Sequence, residues 1–216
     1  MSDLVFRVVL PAYLAIGVVA LALMRQVVSR RTEREPVRVR LFGGGETTAG
    51  FAESVLVLSV LTMGLDVLGR AVWPRASEEL LTVPLLREAT SVRWSGLAVM
   101  SLGLALYFMG LVRLGPSWRI GIDRERPGAL VTSGLFARIR HPLYGGILLA
   151  TLGMALLTPD VVSFAAMAAA WTAVPIQARL EEEFLASLYP EYAQYRARTG
   201  RFVPRWSGAA SAADER

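Results

Sequence analysis

The chain has 216 residues, 54% of them hydrophobic and 19% charged, with a net charge of +5 and a mean hydropathy of +0.45. It contains no Cys, a single His at position 141, and 23 basic residues that are all Arg. Disulfides, thiolate metal sites, a Cys nucleophile, a multi-histidine metal centre, Schiff-base chemistry and a P-loop lysine are therefore all excluded. The hydrophobic share exceeds the roughly 45–50% usual in soluble domains.

The apolar residues fall in blocks separated by Arg-rich stretches, as lipid-spanning helices are written. Positive loops at a membrane surface explain the excess charge more simply than a nucleic-acid partner does.

The first block, Leu4 to Met24, has about the 20 residues that cross a bilayer. Ala20-Leu21-Ala22 resembles a cleavage site. However, Asp3 precedes the block and Arg25, Arg30 and Arg31 follow it, so an uncleaved helix is expected. Residues 25–50 form a basic loop, and Gly43-Gly44-Gly45 reads as a turn before the second span, Phe51 to Leu68. Glu53 and Asp66 are expected near the ends of that span, within reach of headgroups. Pro74 and Pro84 break helices in the segment 69–91, and Val92 to Val112 is the third span.

A second basic loop occupies residues 113–141. Two shorter apolar segments follow, Pro142 to Thr158 and Val161 to Pro175, joined at Pro159-Asp160. At ~1.5 Å rise per residue each reaches only about 24 Å. A tight helical hairpin, its second arm running past Pro175 into Arg179, fits better than two separate spans. The last ten residues, rich in Ala and Ser, read as a disordered tail.

The expected architecture is thus all-α. It is a polytopic membrane protein of about five transmembrane helices, with a carboxy-terminal hairpin and a charged tail. Five spans put the two basic loops and the basic tail on one side of the membrane. That side is the cytoplasm of a cell with this protein in its inner membrane, and the amino terminus lies outside.

Two stretches carry chemistry. The first is Val131 to Gly145, VTSGLFARIRHPLYG. Pro142 suits the first turn of a helix, where its missing N–H costs nothing. That places His141 at a helix amino terminus, among backbone donors suited to an anionic or polar ligand. Gly145 and Gly146 allow close approach of a ligand or a helix. An ordinary interfacial helix start with an Arg anchor accounts for the same residues. The second is Arg179 to Glu183, RLEEE. Arg179 and Glu183 share a helix face, as in a solvated ion pair. Three carboxylates beside the membrane are equally a place to hold a cation.

Arg140-His141-Pro142, Tyr144 and Gly145-Gly146, then a hairpin, then the Glu181–Glu183 run before Tyr192, Tyr195 and Arg198, resemble the isoprenylcysteine carboxyl methyltransferase family. Its superfamily includes phospholipid N-methyltransferases and small-thiol S-methyltransferases. Trp118-Arg119-Ile120-Gly121 and Val131 to Phe136 also look like its bacterial members. The resemblance covers roughly residues 111–206. It divides the chain into amino-terminal spans (1–110), a methyltransferase core (111–206) and the tail (207–216).

The resemblance implies methyl transfer from S-adenosylmethionine without a Rossmann domain, consistent with the lack of a G-x-G-x-x-G motif. It implies that Leu135, Arg140, His141, Pro142, Tyr144, Gly145 and Glu182 bind or shape the cofactor pocket. Glu182 would hold the cofactor's amino group or ribose. Arg179 and Glu183 would be catalytic, orienting a substrate carboxylate or accepting a proton. No metal site is implied. The substrate is expected to be lipophilic and to enter from the bilayer. Candidates are a prenylated thiol or acid, a phenolic lipid, a phospholipid amine and a small thiol. A non-enzymatic membrane scaffold of the same fold is the alternative.

Overall fold

In the computed structural model, residues 5–32, 47–73, 83, 90–115 and 129–205 are described. Gly43–Gly45, Pro74, Pro84, Trp118–Gly121 and the tail from residue 206 lie outside them. Among the described residues six α-helices follow in order: α1 (Leu10–Thr32), α2 (Thr47–Val72), α3 (Thr90–Leu114), α4 (Pro142–Leu157), α5 (Val161–Leu188) and the short α6 (Tyr192–Arg198). No strand occurs among the described residues, only an isolated parallel bridge between Ile139 and Gly200. Helices α1, α2, α3 and α5 are long and apolar enough to cross a membrane, and α4 is a shorter apolar helix. The protein is an all-α membrane protein, as the apolar blocks lead one to expect.

The first helix is displaced from its expected range. A π-helical turn at Val5–Val9 leads into α1, which continues to Thr32. The helix therefore carries Arg25 and Arg30 on its last turns, because Arg is a good helix former and its long stem lets the charge leave an apolar surface. Likewise α5 does not stop near Arg179. It runs through Pro175 to Leu188, so the hairpin arm and the RLEEE segment are one rigid element.

The hairpin is joined by a polar knot. Asp160 is the N-cap of α5, its Oδ1 accepting from the Ser163 amide at 2.7 Å. Such a cap is worth about 1 kcal/mol. The Asp160 carboxylate also receives the Arg70 guanidinium, which at the same time donates from Nε to Asp66 at 2.9 Å. Arg70, Asp66 and Asp160 are all buried. Asp66 is therefore not at the headgroups, as the sequence suggested. Its charge is matched inside the bundle by a side chain one helical turn away, which spacing four allows, and by the α4–α5 turn 90 residues on.

Glycines bring α3 and α4 into backbone contact. Gly96, Gly103 and Gly110 recur every seventh residue on α3, and Gly146 and Gly153 do the same on α4. A methyl group at Gly103 would lie 2.7 Å from the Gly146 carbonyl oxygen, and one at Gly146 would lie 2.7 Å from the Tyr107 amide. Lipid tails give helices no hydrophobic reason to associate, so close packing of small residues supplies the attraction. A strict seven-residue repeat keeps that seam facing the partner along the helices. Helix α2 packs on α5 in turn, with Ala52, Ser59 and Asp66 buried at the same seven-residue spacing.

Candidate functional site

Where the chain enters α4, it is pinned by the segment 199–205 that follows α6, the described part of the tail. The Arg140 amide donates to the Gly200 carbonyl at 2.8 Å, the His141 amide to the Arg201 carbonyl at 3.0 Å, and the Gly200 amide to the Arg138 carbonyl at 3.0 Å. Gly200 has no room for a side chain there, since a Cβ would lie 3.0 Å from the Arg205 amide nitrogen and closer still to the Val203 carbonyl. Tyr195 adds a fourth tie, its hydroxyl donating to the Phe136 carbonyl at 2.7 Å. Burial raises the pKa of this phenol to about 12. Burial also raises that of Tyr192, whose hydroxyl has no hydrogen-bond partner.

At the centre stands Glu182, buried on α5. Its Oε1 accepts from Arg140 Nε and from Arg201 Nε, each at 3.0 Å, and its Oε2 accepts from Arg201 Nη2 at 2.8 Å. The Glu182 hydrogen bonds raise the pKa of Arg201 further above its ordinary range. The Arg140 guanidinium is spent as well: Nη1 donates to the carbonyls of Thr199 and, at 3.0 Å, Arg196. One carboxylate and two guanidiniums thus lock α4, α5 and the tail together.

His141 is buried beside this lock. Its Nε2 lies 3.3 Å from Glu182 Oε1, off the hydrogen-bonding direction, and has no hydrogen-bond partner. Its Nδ1 faces Glu181 Oε2 at 3.7 Å. The ring stacks on Tyr144, centroids 5.4 Å apart and 27° between planes, and borders Phe202 at 6.3 Å. The Tyr144 hydroxyl faces the Glu181 carboxylate, with Glu53 of α2 and Tyr107 of α3 also within electrostatic reach. Glu181 is 37% exposed and, unlike Glu182, is not enclosed by guanidiniums.

The structure thus brings together Arg140, His141, Pro142, Tyr144, Gly145 and Glu182 among the expected site residues. Pro142 and Gly145 are buried at the start of α4, Gly145 directly under the Phe202 carbonyl. Leu135 is half-buried in the 3₁₀ turn Gly134–Ala137 beside Phe136. Arg179 and Glu183 are elsewhere, both exposed on α5 and outside the Glu182 network. Glu181, one of the three glutamates the sequence offered, joins the site, whereas Arg201, Thr199 and Phe202 were not singled out by the sequence. The tail segment Arg198 to Pro204 was part of the resemblance, but its pairing with Arg138 to His141 is a long-range contact with no local signal.

The donor set fits S-adenosylmethionine. A stacked His–Tyr pair offers an aromatic wall, Glu181 offers an unneutralised carboxylate to a cation, and the buried His141 and Tyr192 each have a polar atom to satisfy. Among the described residues no group of three or more His, Asp or Glu is placed to hold a metal ion.

Residues 92–192 match the family described as phospholipid methyltransferase. Over that stretch, just under half of its length, the chain is similar to the phospholipid methyltransferase family. Two curated relatives are proteins named for S-isoprenylcysteine O-methyltransferase activity. One, from Schizosaccharomyces pombe, is 30% identical over 51% of this chain and 48% of its own length. The other, from Arabidopsis thaliana, is 29% identical over 54% of this chain and 62% of its own. The cobalt-zinc-cadmium resistance protein CzcN of Cupriavidus metallidurans is 40% identical over 53% of this chain and 55% of its own length. The chain spans about half the length of the curated relatives it matches. The matched stretch holds nearly all of α3, the α4–α5 hairpin and every α4 and α5 residue of the cluster. Arg201 and Phe202 lie just beyond it.

Proposed function

We propose that this protein is an integral membrane methyltransferase that uses S-adenosylmethionine and acts on a lipophilic substrate. The observation that carries the reading is the cluster of His141, Tyr144 and Glu181. A stacked aromatic pair and an open carboxylate meet at one end of a lipid-spanning hairpin, within a stretch whose family is a methyltransferase family. The cofactor supplies a methyl group on a sulfonium, and the protein's task is to position an acceptor and exclude water.

In this reading the residues divide as follows. Glu182, Arg140 and Arg201 hold the tail over the site. Glu181 is the carboxylate open to the cofactor's cationic amino group, and His141, Tyr144 and Phe202 border its ring. Pro142, Gly145 and Leu135 shape the floor. Arg179 and Glu183, exposed on α5, serve the approach of the substrate. In this reading the site faces the cytoplasm and the membrane is the inner one, because Arg-rich segments of a membrane protein's sequence favour the cytoplasmic side.

The test is to incubate membranes containing the protein with methyl-labelled S-adenosylmethionine and to extract the lipids. A labelled apolar product, lost when His141→Ala and Tyr144→Ala are combined, supports the reading. Label that is absent, or unchanged in the double variant, contradicts it.

A further inference from the structure

The amino-terminal helices lie outside the matched family stretch, yet α2 contributes a charged group at the site end. The Glu53 Oε1 atom is buried and has no hydrogen-bond partner. Glu53 precedes Arg70 by about five helical turns on α2, Gln177 follows Asp160 by as many along α5, and Arg70 meets Asp160, so Glu53 and Gln177 stand level on the two helices. On α5, which packs against α2, Gln177 is only 4% exposed, and its Oε1 also lacks a partner. Gln177 and Glu181 are four residues apart and share a helix face, and Glu181 in turn faces Tyr144. Two unsatisfied acceptors, on two helices, therefore border one region beside the proposed cofactor site.

Leaving buried acceptors unmatched costs about 1–3 kcal/mol each, so a partner is expected. The groups buried on those helices do not supply one: Ala170, Ala173 and Val174 on α5 and Ala52 on α2 are apolar, and the Ser54 hydroxyl donates to the Gly50 carbonyl at 2.7 Å. The missing donors must then come from a molecule that is apolar along its length and polar at its tip.

We propose that Glu53 and Gln177 are specificity-determining residues that read the head of the substrate, and that this substrate is an apolar molecule bearing an N–H or O–H donor. The proposal rests on the methyltransferase reading for the identity of the site, but not for the binding itself. A carboxylate head is disfavoured, because it would bring a third negative charge and no donor to Glu53 and Glu181. The selection is the kind in which unpaired polar groups reject an analogue lacking the complementary hydrogen.

Binding of radiolabelled dodecylamine, 4-octylphenol and dodecanoate to the protein in nanodiscs, corrected for empty nanodiscs, tests it. Saturable binding of at least one donor probe, weakened tenfold or more by Glu53→Leu and again by Gln177→Leu, is expected, with no saturable binding of dodecanoate. Dodecanoate binding as well as the donors, no donor binding, or donor binding unchanged in both variants overturns the proposal. The dissociation constant for S-adenosylmethionine is measured on the same wild-type samples. A wild-type protein that binds a donor probe but no S-adenosylmethionine overturns the methyltransferase reading and leaves the acceptor pair standing.

Discussion

Glu182 on α5 and Arg201 in the tail form a two-point ion pair, with Nε to Oε1 at 3.0 Å and Nη2 to Oε2 at 2.8 Å. The pair joins a membrane helix to a segment that would otherwise end at α6. A planar fork meeting a carboxylate at two points fixes direction as well as distance. It therefore sets where Phe202 stands over Gly145 and His141.

Glu182→Gln leaves Arg140 buried without its counter-charge, since that guanidinium is only 9% exposed. Removing one partner of a buried pair costs about 3 kcal/mol or more. Proteolysis should then cut near residues 199–205 in the variant and not in the wild type. Arg201→Lys keeps the charge but loses the fork, so it should restore only part of the protection.

The glycine seam should tolerate no side chain. Gly103→Leu and Gly146→Leu force backbones apart, and overpacking of this kind costs about 1–3 kcal/mol or more. Both should lower the melting temperature or abolish monodisperse protein in detergent. Gly17→Leu, at a position with nothing within 4 Å, should do neither.

At the far end of the bundle, Arg70→Met strands Asp66 and Asp160 together in an apolar setting. The expected loss is about 3–5 kcal/mol, seen as a lower melting temperature. The folded fraction should bind S-adenosylmethionine as the wild type does, because this knot lies at the opposite end from His141.

The tail tie through Tyr195 should fail in alkali. Its pKa is raised in the fold to about 12, from about 10 in an unfolded chain, so folding favours the neutral phenol. The stabilisation is complete below about pH 10 and is lost as pH rises through about 12. Tyrosinate absorbance rising in step with protease cleavage of the tail between those values would show it. In Tyr195→Phe the cleavage should no longer follow that rise.

The apolar blocks made the spans legible, since one element is one continuous run of sequence. The hairpin was legible from the break at Pro159-Asp160, but the length of its second arm was not, because α5 runs on through Pro175 to Leu188. Pairings across the chain were not: Arg70 with Asp160, Arg140 with Thr199 and Arg201 with Glu182 link residues that share no local pattern. Asp66 was misplaced for this reason, because a carboxylate near the end of a span reads as interfacial until its partner is known. The seven-residue glycine spacing on α3 and α4 was present in the sequence, but its meaning depends on two helices meeting along it. Among the three glutamates, only the fold separates the enclosed Glu182 from the open Glu181 and the outward Glu183.

The central claim is that His141, Tyr144 and Glu181 form a site for S-adenosylmethionine, and isothermal calorimetry on the purified protein tests it most directly. The account predicts saturable binding by the wild type, at least tenfold weaker when His141→Ala and Tyr144→Ala are combined and similarly weakened by Glu181→Gln. No binding by wild-type protein at high micromolar cofactor, or equal binding by the variants, would contradict it.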